Sequence, residues 1–596
     1  MTTTAPPRGR PPVERATVRR AVLWPRLADT AVMLGFVLAA FLIYRPLWLN
    51  LSDGYLFFSG QDQNLWEWFF AVTAHKVLNF ENPLTTTLQN HPDGVNLAAN
   101  TAMFGLGVPL TPITVLFGPT VTFALALTGG MAGTAVAWYW VLSRHVVDSR
   151  AGAAVGAAFC GFAPPIVSHG NAHPNFVALF LLPFVVLCLL TVVRGARPVR
   201  GGVFLGLLVA WQLLLGKEPL LIAAVTMTVF ALSYALMRPA HALALARPLG
   251  VALGTGAAVA LVLVAVPLWW QFFGPQSYPG LEHGLRGNDL AAFPAFATES
   301  LAGTPDSAVP LSMNRTEENA FFGWPLLLVL AGVVAALWRV ASARALAVTA
   351  LVLAWISMGA VLYLDGTPTA IPGIWLLLFD RPLFDSVLES RFALGALVPV
   401  GILLAMATER VLRMRTRPDR RYAATIVWVS ALAFALVPIA PTELRVTERG
   451  EAPAFFADGT WRTHVHDGSV VPVPPPDVGD ADPLHWQMAA GMGFPLVEGY
   501  FVGPNRDGEG RYGAPRRPTS ILLERVAEDG GTPEITVGDR AAARRDLQHW
   551  NADLVVLPIG TEHQHELRAT VSALLDAPGR AVGDVWLWDV DALLER

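Results

Sequence analysis

The sequence predicts a polytopic α-helical membrane protein of about eleven spans that ends in a smaller, water-facing α/β domain. Three observations carry this. Of 596 residues, 53% are hydrophobic and 15% charged, where soluble domains carry about 25% charged residues, so a soluble enzyme is excluded. Apolar runs that reach or approach the roughly 20 residues needed to cross a bilayer fill most of the first 440 positions. Of the 46 acidic residues, 25 lie in residues 441–596 beside 14 arginines and no lysine, which is ordinary soluble composition. The net charge of −4 offers no basic footprint for nucleic acid. Cys160 and Cys188 both sit in apolar stretches, which excludes a disulfide-stapled fold and predicts free thiols.

Spans are predicted at 28–45, 119–142, 151–166, 174–193, 202–216, 219–237, 249–272, 320–338, 345–364, 392–408 and 422–440. Cytoplasmic loops collect Arg and Lys. The basic leader 1–27 carries Arg8, Arg10, Arg15, Arg19, Arg20 and Arg26, and alternate loops carry Arg144 and Arg150, the group Arg194 to Arg200, Arg238 and Arg247, Arg339 and Arg344, and six arginines from Arg410 to Arg421. In all, 21 of the 28 basic residues before position 441 fall on one side. This predicts a plasma-membrane protein with a cytoplasmic N-terminus, a transmembrane domain over 28–440, long outer loops at 46–118, 273–319 and 365–391, and an extracytoplasmic domain over 441–596.

The apolar stretch 103–117 would spoil this parity as a full crossing, so it is predicted to be re-entrant or to lie at the outer surface. In "DQNLWEWFFAVTAHKVL", Leu65, Trp66, Trp68, Phe69, Val72 and Val77 recur at near-helical spacing, which predicts an amphipathic helix in the headgroup layer. Beyond 441, the runs "GSVVPVP", "DLVVLPI" and "DVWLWDV" predict strands, and helical patterns fall near 519–528 and 562–577. The connection "EGYFVGPNRDGEGRYGAPRRP" is either an ordered sugar-contacting loop or a mobile link.

Asp62 lies just past the outer end of the first span. A carboxylate there suits a general base beside a lipid-borne substrate; the alternative is a helix N-cap. Lys217 and Glu218 fall between two spans at their outer ends, where ionisable groups at membrane depth are functional candidates: Glu218 as a second acid, Lys217 as a phosphate partner, or both as a plain hairpin turn. "SHGNAHPNF" places His169, Asn171, His173 and Asn175 on an outer turn, suited to polar contacts with a sugar or phosphate or to a self-satisfied turn. The two histidines are four apart, but Gly170 and Pro174 argue against the regular helix that a metal site of that spacing uses. No cofactor is predicted and a divalent metal lacks support. Arg391, where a long outer loop re-enters the membrane, suits a phosphate or diphosphate leaving group, or an interfacial anchor. Gly129 with Gly133, and Gly152 with Gly156, read as close helix packing.

The segments "GQDQNLWEWFF", "ENPLTTTLQNHPDGVNLAANTAMFGLGVPLTPITVLFGPTVTF", "GFAPPIVSHGNAHPNF", "LLLGKEPLL" and "ENAFFGWPLLLVL" resemble, in kind and order, bacterial GT-C-type membrane glycosyltransferases. The resemblance implies a GT-C-like fold and a sugar taken from a polyprenyl-phosphate carrier. It also implies that the acid of the first outer loop, Asp62 by position, is the catalytic base. The chain departs from the pattern in carrying Gln61 and Gln63 where a paired acid is common. It keeps Arg381 and Arg391 but has Leu388 where a further arginine is expected. The function this implies is inverting transfer of a sugar to an extracytoplasmic glycan or lipid-linked acceptor, with the lipid bilayer as partner and no nucleic acid. The rival readings are a lipid or polysaccharide transporter, and a non-catalytic cell-envelope assembly protein.

Overall fold

The computed structural model describes residues 13–281, 286–414 and 417–590, with side chains described from residue 27 onward. The first twelve residues of the basic leader, Arg415 and the last six residues lie outside the described residues. Each of the eleven predicted spans overlaps a helix. Six helical segments are long and apolar enough to cross a membrane, among them Pro119–Val146, Lys217–Met237 and Pro239–Phe273, and four shorter apolar helices accompany them. The predicted span 345–364 is too long: its helix stops at Ile356, and Val361–Leu364 is already a strand paired with Thr367–Pro372. Gly359, at φ +78°, turns the chain between the two.

Small residues bring the helices together. A Cβ on Gly152 would lie 2.7 Å from the Ala405 carbonyl oxygen, and one on Gly156 would lie 2.5 Å from that of Gly401, so Arg150–Phe162 and Leu397–Leu412 touch through backbone. Gly129 meets nothing within 4 Å, and it is Gly130 that packs on Ala178. Cys160 and Cys188 are free.

The stretch 103–117 forms two short helices, Phe104–Gly107 and Thr111–Phe117. At 1.5 Å per residue neither can cross a hydrocarbon core about 30 Å thick. The helix predicted to lie open in the headgroup layer forms at Gly60–Leu78 but is buried on every face over its middle, polar Gln63, Asn64 and Glu67 included. Its polar residues meet partners from beyond residue 440: Arg449 bonds Glu67 and Asn64, and Trp68 donates to Gln487. Strand Gly54–Leu56, just before this helix, pairs antiparallel with Val446–Glu448.

Within 441–590 the three predicted strands join a fourth in a mixed sheet. Its order is Arg580–Val582, Val585–Asp589, Ala552–Pro558, Ser469–Pro472, with only the last pair parallel. Alternation decides what each face meets. Val471, Val555 and Leu557 pack on the helices Pro518–Asp529, Val537–His549 and Gln564–Leu575, while Val470, Leu554 and Val556 join the core that runs through Trp68 and Phe392. The helix Val537–His549 has no counterpart in the sequence reading, because it buries only Ala543, Asp546 and Leu547 and shows little apolar period.

Candidate functional site

The Gly60–Leu78 helix starts one residue after Ser59, which occupies the N-cap, so Asp62 lies in the first turn and is not the cap. Its carboxylate is free to point elsewhere. Oδ1 accepts from the Tyr500 hydroxyl at 2.7 Å, and Oδ2 faces His173 Nε2 at 3.5 Å. Tyr500 comes from the connection left open between loop and link. It is ordered, with Tyr500 and Phe501 buried and the hairpin Val502–Pro504 with Gly510–Tyr512 following. Burial and the adjacent Asp62 charge push the Tyr500 phenol well above its ordinary value, so it stays a donor.

His169 ends the helix Pro164–His169, and His173 lies on the turn that follows it. Their Nδ1 atoms are 3.3 Å apart, and His169 Nε2 is 2.9 Å from Asn319 Oδ1. Asn319 Nδ2 donates to Glu317 Oε2 and Ser390 Oγ, which fixes its amide orientation. His169 therefore donates from Nε2 and accepts at Nδ1, leaving His173 to donate from its own Nδ1. Burial holds His169 down at about 3, against the pull of the Glu317 charge. Asn171, on the same turn, is 1% exposed, and neither of its amide atoms has a partner among the described residues.

Glu317 connects the histidines to the cation. Burial opposes its charge, but Arg391 and His169 outweigh this and hold the carboxyl down at about 2. Arg391 Nε reaches both Glu317 oxygens at 3.0 and 3.2 Å, Nη2 bonds Oε1, and Nη1 donates to Glu218 Oε2 at 2.6 Å. The guanidinium also lies 4.7 Å over the Phe176 ring, on which His169 stacks. Tyr512 is within electrostatic reach of Arg391, Glu218, Glu317 and Asp62.

Of the residues singled out in the sequence, Asp62, His173, His169, Arg391 and Glu218 thus join one linked cluster. Two assignments change. Arg391 is not an open anion site, because both its faces toward the cluster are committed to Glu317 and Glu218. Lys217 turns away and donates to the Ala98 carbonyl at 2.5 Å. No hydrogen bond or ion pair joins Glu218 to Asp62 among the described residues; Glu218 reaches the cluster through Arg391. Glu317, Asn319 and Tyr500 were not identified as site residues. The signal available for the first two was "RTEENAFF", five polar residues at the mouth of a span.

His169, His173 and Glu317 are the group among the described residues whose donor atoms, all within 4.8 Å of one another, could hold a metal ion. Two imidazoles and a carboxylate suit a zinc-like ion. Arg391 already occupies Glu317, however, so an ion there would sit against a guanidinium, and the donor set fits poorly unless Arg391 moves.

An apolar pocket of about 90 Å³ begins beneath the cluster, lined by Phe176, Pro219, Ile222, Leu394 and Val398 among others. Phe176 is the ring under Arg391, and Pro219 follows Glu218.

The fold is similar to that of solved membrane glycosyltransferases, and the chain is a multi-pass membrane protein. The arabinofuranosyltransferase AftD from mycobacteria is similar with a TM-score of 0.54 at 16% identity, over 95% of this chain and 40% of AftD. A mutant form of AftD gives 0.50 at 14% identity, over 95% and 41%. The archaeal oligosaccharyltransferase AglB from Archaeoglobus fulgidus gives 0.47 at 13% identity, over 92% and 71%. The chain thus spans about two fifths of the length of AftD. No protein-family model and no curated protein matches the sequence.

Proposed function

We propose that this chain is a membrane glycosyltransferase that moves one sugar from a polyprenyl-phosphate carrier to an acceptor hydroxyl on the outer side of the membrane. The observation that carries the reading is the placement of Asp62. Its carboxylate is oriented by the Tyr500 hydroxyl and backed by His173, in a cluster whose floor opens into an apolar pocket. The likeness of fold to AftD, a sugar transferase, supports the same reading.

In this mechanism the acceptor oxygen attacks the anomeric carbon as Asp62 takes its proton, while the bond from that carbon to the carrier phosphate breaks on the opposite side. A single displacement inverts the configuration. Glu317 and Arg391 hold the His169–His173 pair in place and thereby the wall behind Asp62. Eleven spans, an inside N-terminus and an outer location for 441–596 complete the proposal, with the arginine distribution in support. The acceptor is a glycan or a lipid-linked saccharide. No step is assigned to a metal ion.

The test is incubation of the purified protein with a panel of polyprenyl-phosphate sugars and a mixed glycan acceptor. Turnover of one donor, with release of polyprenyl phosphate and an inverted linkage, is the expected result. Absence of transfer across the panel, or a retained linkage, would overturn the proposal.

A further inference from the structure

The loop that joins the helices Ala341–Ile356 and Leu397–Leu412 presents two unlike faces. Its inner face is aromatic. The Trp375 ring meets Phe384 at 5.9 Å and Phe392 at 5.4 Å, and Phe384 stacks on Phe392 at 6.0 Å. Phe392 follows Arg391 in the chain, so this group of rings lies beside the Asp62 cluster. The outer face is aliphatic. Ile371, Leu376, Leu377, Phe379 and Leu383 fall in the single stretch 371–383, and each is between 40% and 71% exposed. Apolar side chains gathered in this way and left uncovered by the chain mark an interaction surface.

Depth decides the partner. The turn Ile374–Leu377 packs against the helix Ala341–Ile356, and the Gly373 N–H donates at 2.8 Å to the carbonyl of Ala360, four residues past the end of that helix. A Cβ on Gly373 would collide with the Gly359 carbonyl oxygen, so the two strands of chain meet through backbone. The segment is thereby pinned to a helix end. On that helix Val348, Leu351 and Trp355 form one exposed apolar stripe at helical spacing. In a multi-pass membrane protein such a stripe meets acyl chains, and a Trp at its end marks the interface. The leaflet that covers the stripe is therefore the surface nearest to Leu376 and Leu377.

Side-chain chemistry points the same way. Protein-binding hot spots are rich in Trp, Tyr and Arg, whereas here the one Trp faces inward and the outward offer is four aliphatic side chains and a Phe. Asp365, Asp380, Arg381 and Asp385 border the stretch and are exposed. Three acids against one arginine give anionic headgroups nothing to bind, which leaves apolar burial as the attraction.

We infer that residues 371–383 insert as a non-helical wedge into the leaflet on the Asp62 side, with Leu376, Leu377, Phe379 and Leu383 among the lipid chains and Trp375 joining the wedge to the cluster. The wedge is shallow, because backbone outside a helix needs headgroup water for its unpaired groups. The inference rests on the chain crossing a membrane and is independent of sugar transfer.

Site-directed fluorescence of the full chain in phosphatidylcholine nanodiscs tests this. On a Cys188→Ala background, Leu377→Cys carries an environment-sensitive label, and Glu534→Cys, exposed in the C-terminal region, carries the same label as an aqueous reference. Phosphatidylcholine with a nitroxide near the glycerol end of its acyl chain should remove most of the fluorescence at position 377, and a nitroxide near the chain terminus should remove less. Aqueous iodide should quench the label at 534 and spare the one at 377. Iodide quenching at 377 equal to that at 534 would overturn the proposal, as would stronger quenching by the chain-terminal nitroxide. Shielding from both iodide and lipid nitroxides would also overturn it, since a protein or a second copy of this chain would then be the occupant. Should Leu377→Cys fail to fold, Leu383→Cys carries the label and the same outcomes apply.

Discussion

Replacing Arg449 with Met should loosen the attachment of the 441–590 region to the helix that carries Asp62. Arg449 and Glu67 are each 1% exposed and meet at 2.9 Å, while the other Arg449 nitrogen bonds Asn64 Oδ1 at 2.9 Å and His485 Nδ1 at 2.7 Å. Without the guanidinium, Glu67 keeps only Gln63 Nε2 at 2.8 Å and the Thr120 hydroxyl at 2.9 Å, in a site closed to water. Stranding one partner of a buried ion pair costs about 3–5 kcal/mol, which weakens the docked state at least about 100-fold. Two assays report it: the melting temperature of the purified protein in detergent, and hydrogen exchange across residues 499–514, the segment that brings Tyr500 to Asp62. Arg449→Met should lower the first and raise the second. Glu67→Gln combined with Arg449→Met removes the stranded charge and should recover most of the loss. Wild-type melting and exchange in the single variant, or a double variant no better than the single, would refute the reasoning.

His485 accepts from Arg449 and is held down at about 3 by burial and by that cation. The native state therefore resists a proton that the unfolded chain takes up near 6.5. Stability is full above that value and falls as pH drops toward 3. At pH 5.5 wild type should have lost about 1 kcal/mol that His485→Gln retains, and a melting series from pH 7.5 to 5 checks it. Cys160 is 3% exposed and should resist a maleimide until the protein is denatured; labelling of the native protein at Cys160 would contradict the packing. A reporter active only in the cytoplasm, fused after Arg596, should be silent if residues 441–596 face outward, and activity would reverse the assigned topology.

The membrane helices were legible because each shows itself locally, as an apolar run between arginine-bearing loops. The same holds for the three strands of the C-terminal sheet. The Gly60–Leu78 helix was legible as a helix but not in its surroundings: its polar face looks water-directed until Arg449, 382 residues further on, arrives to bury it. The site divides in the same way. Asp62, the His169 turn and Arg391 stood out because polar groups at span ends are conspicuous one at a time. What they do to one another was not legible. Glu317 passes for a loop acid among many, and only the fold shows it claiming Arg391 and, through Asn319, fixing His169. Tyr500 lies 438 positions from Asp62 in a Gly- and Pro-rich connection, and no local pattern announces that it donates to that carboxylate. Lys217 and Glu218 are adjacent in sequence, yet successive helical residues point about 100° apart, which is why Glu218 joins the cluster and Lys217 turns away from it.

The most direct test of the central claim is sugar transfer by Asp62→Asn, measured with the donor and acceptor that the wild-type protein uses. Asn keeps the shape and can still accept from Tyr500, so folding and donor binding should match wild type. It cannot take the acceptor proton, and loss of general-base help lowers rates by about 10² to 10⁴. The predicted result is a folded, donor-binding protein whose turnover falls by that factor. Wild-type turnover by Asp62→Asn would contradict the account.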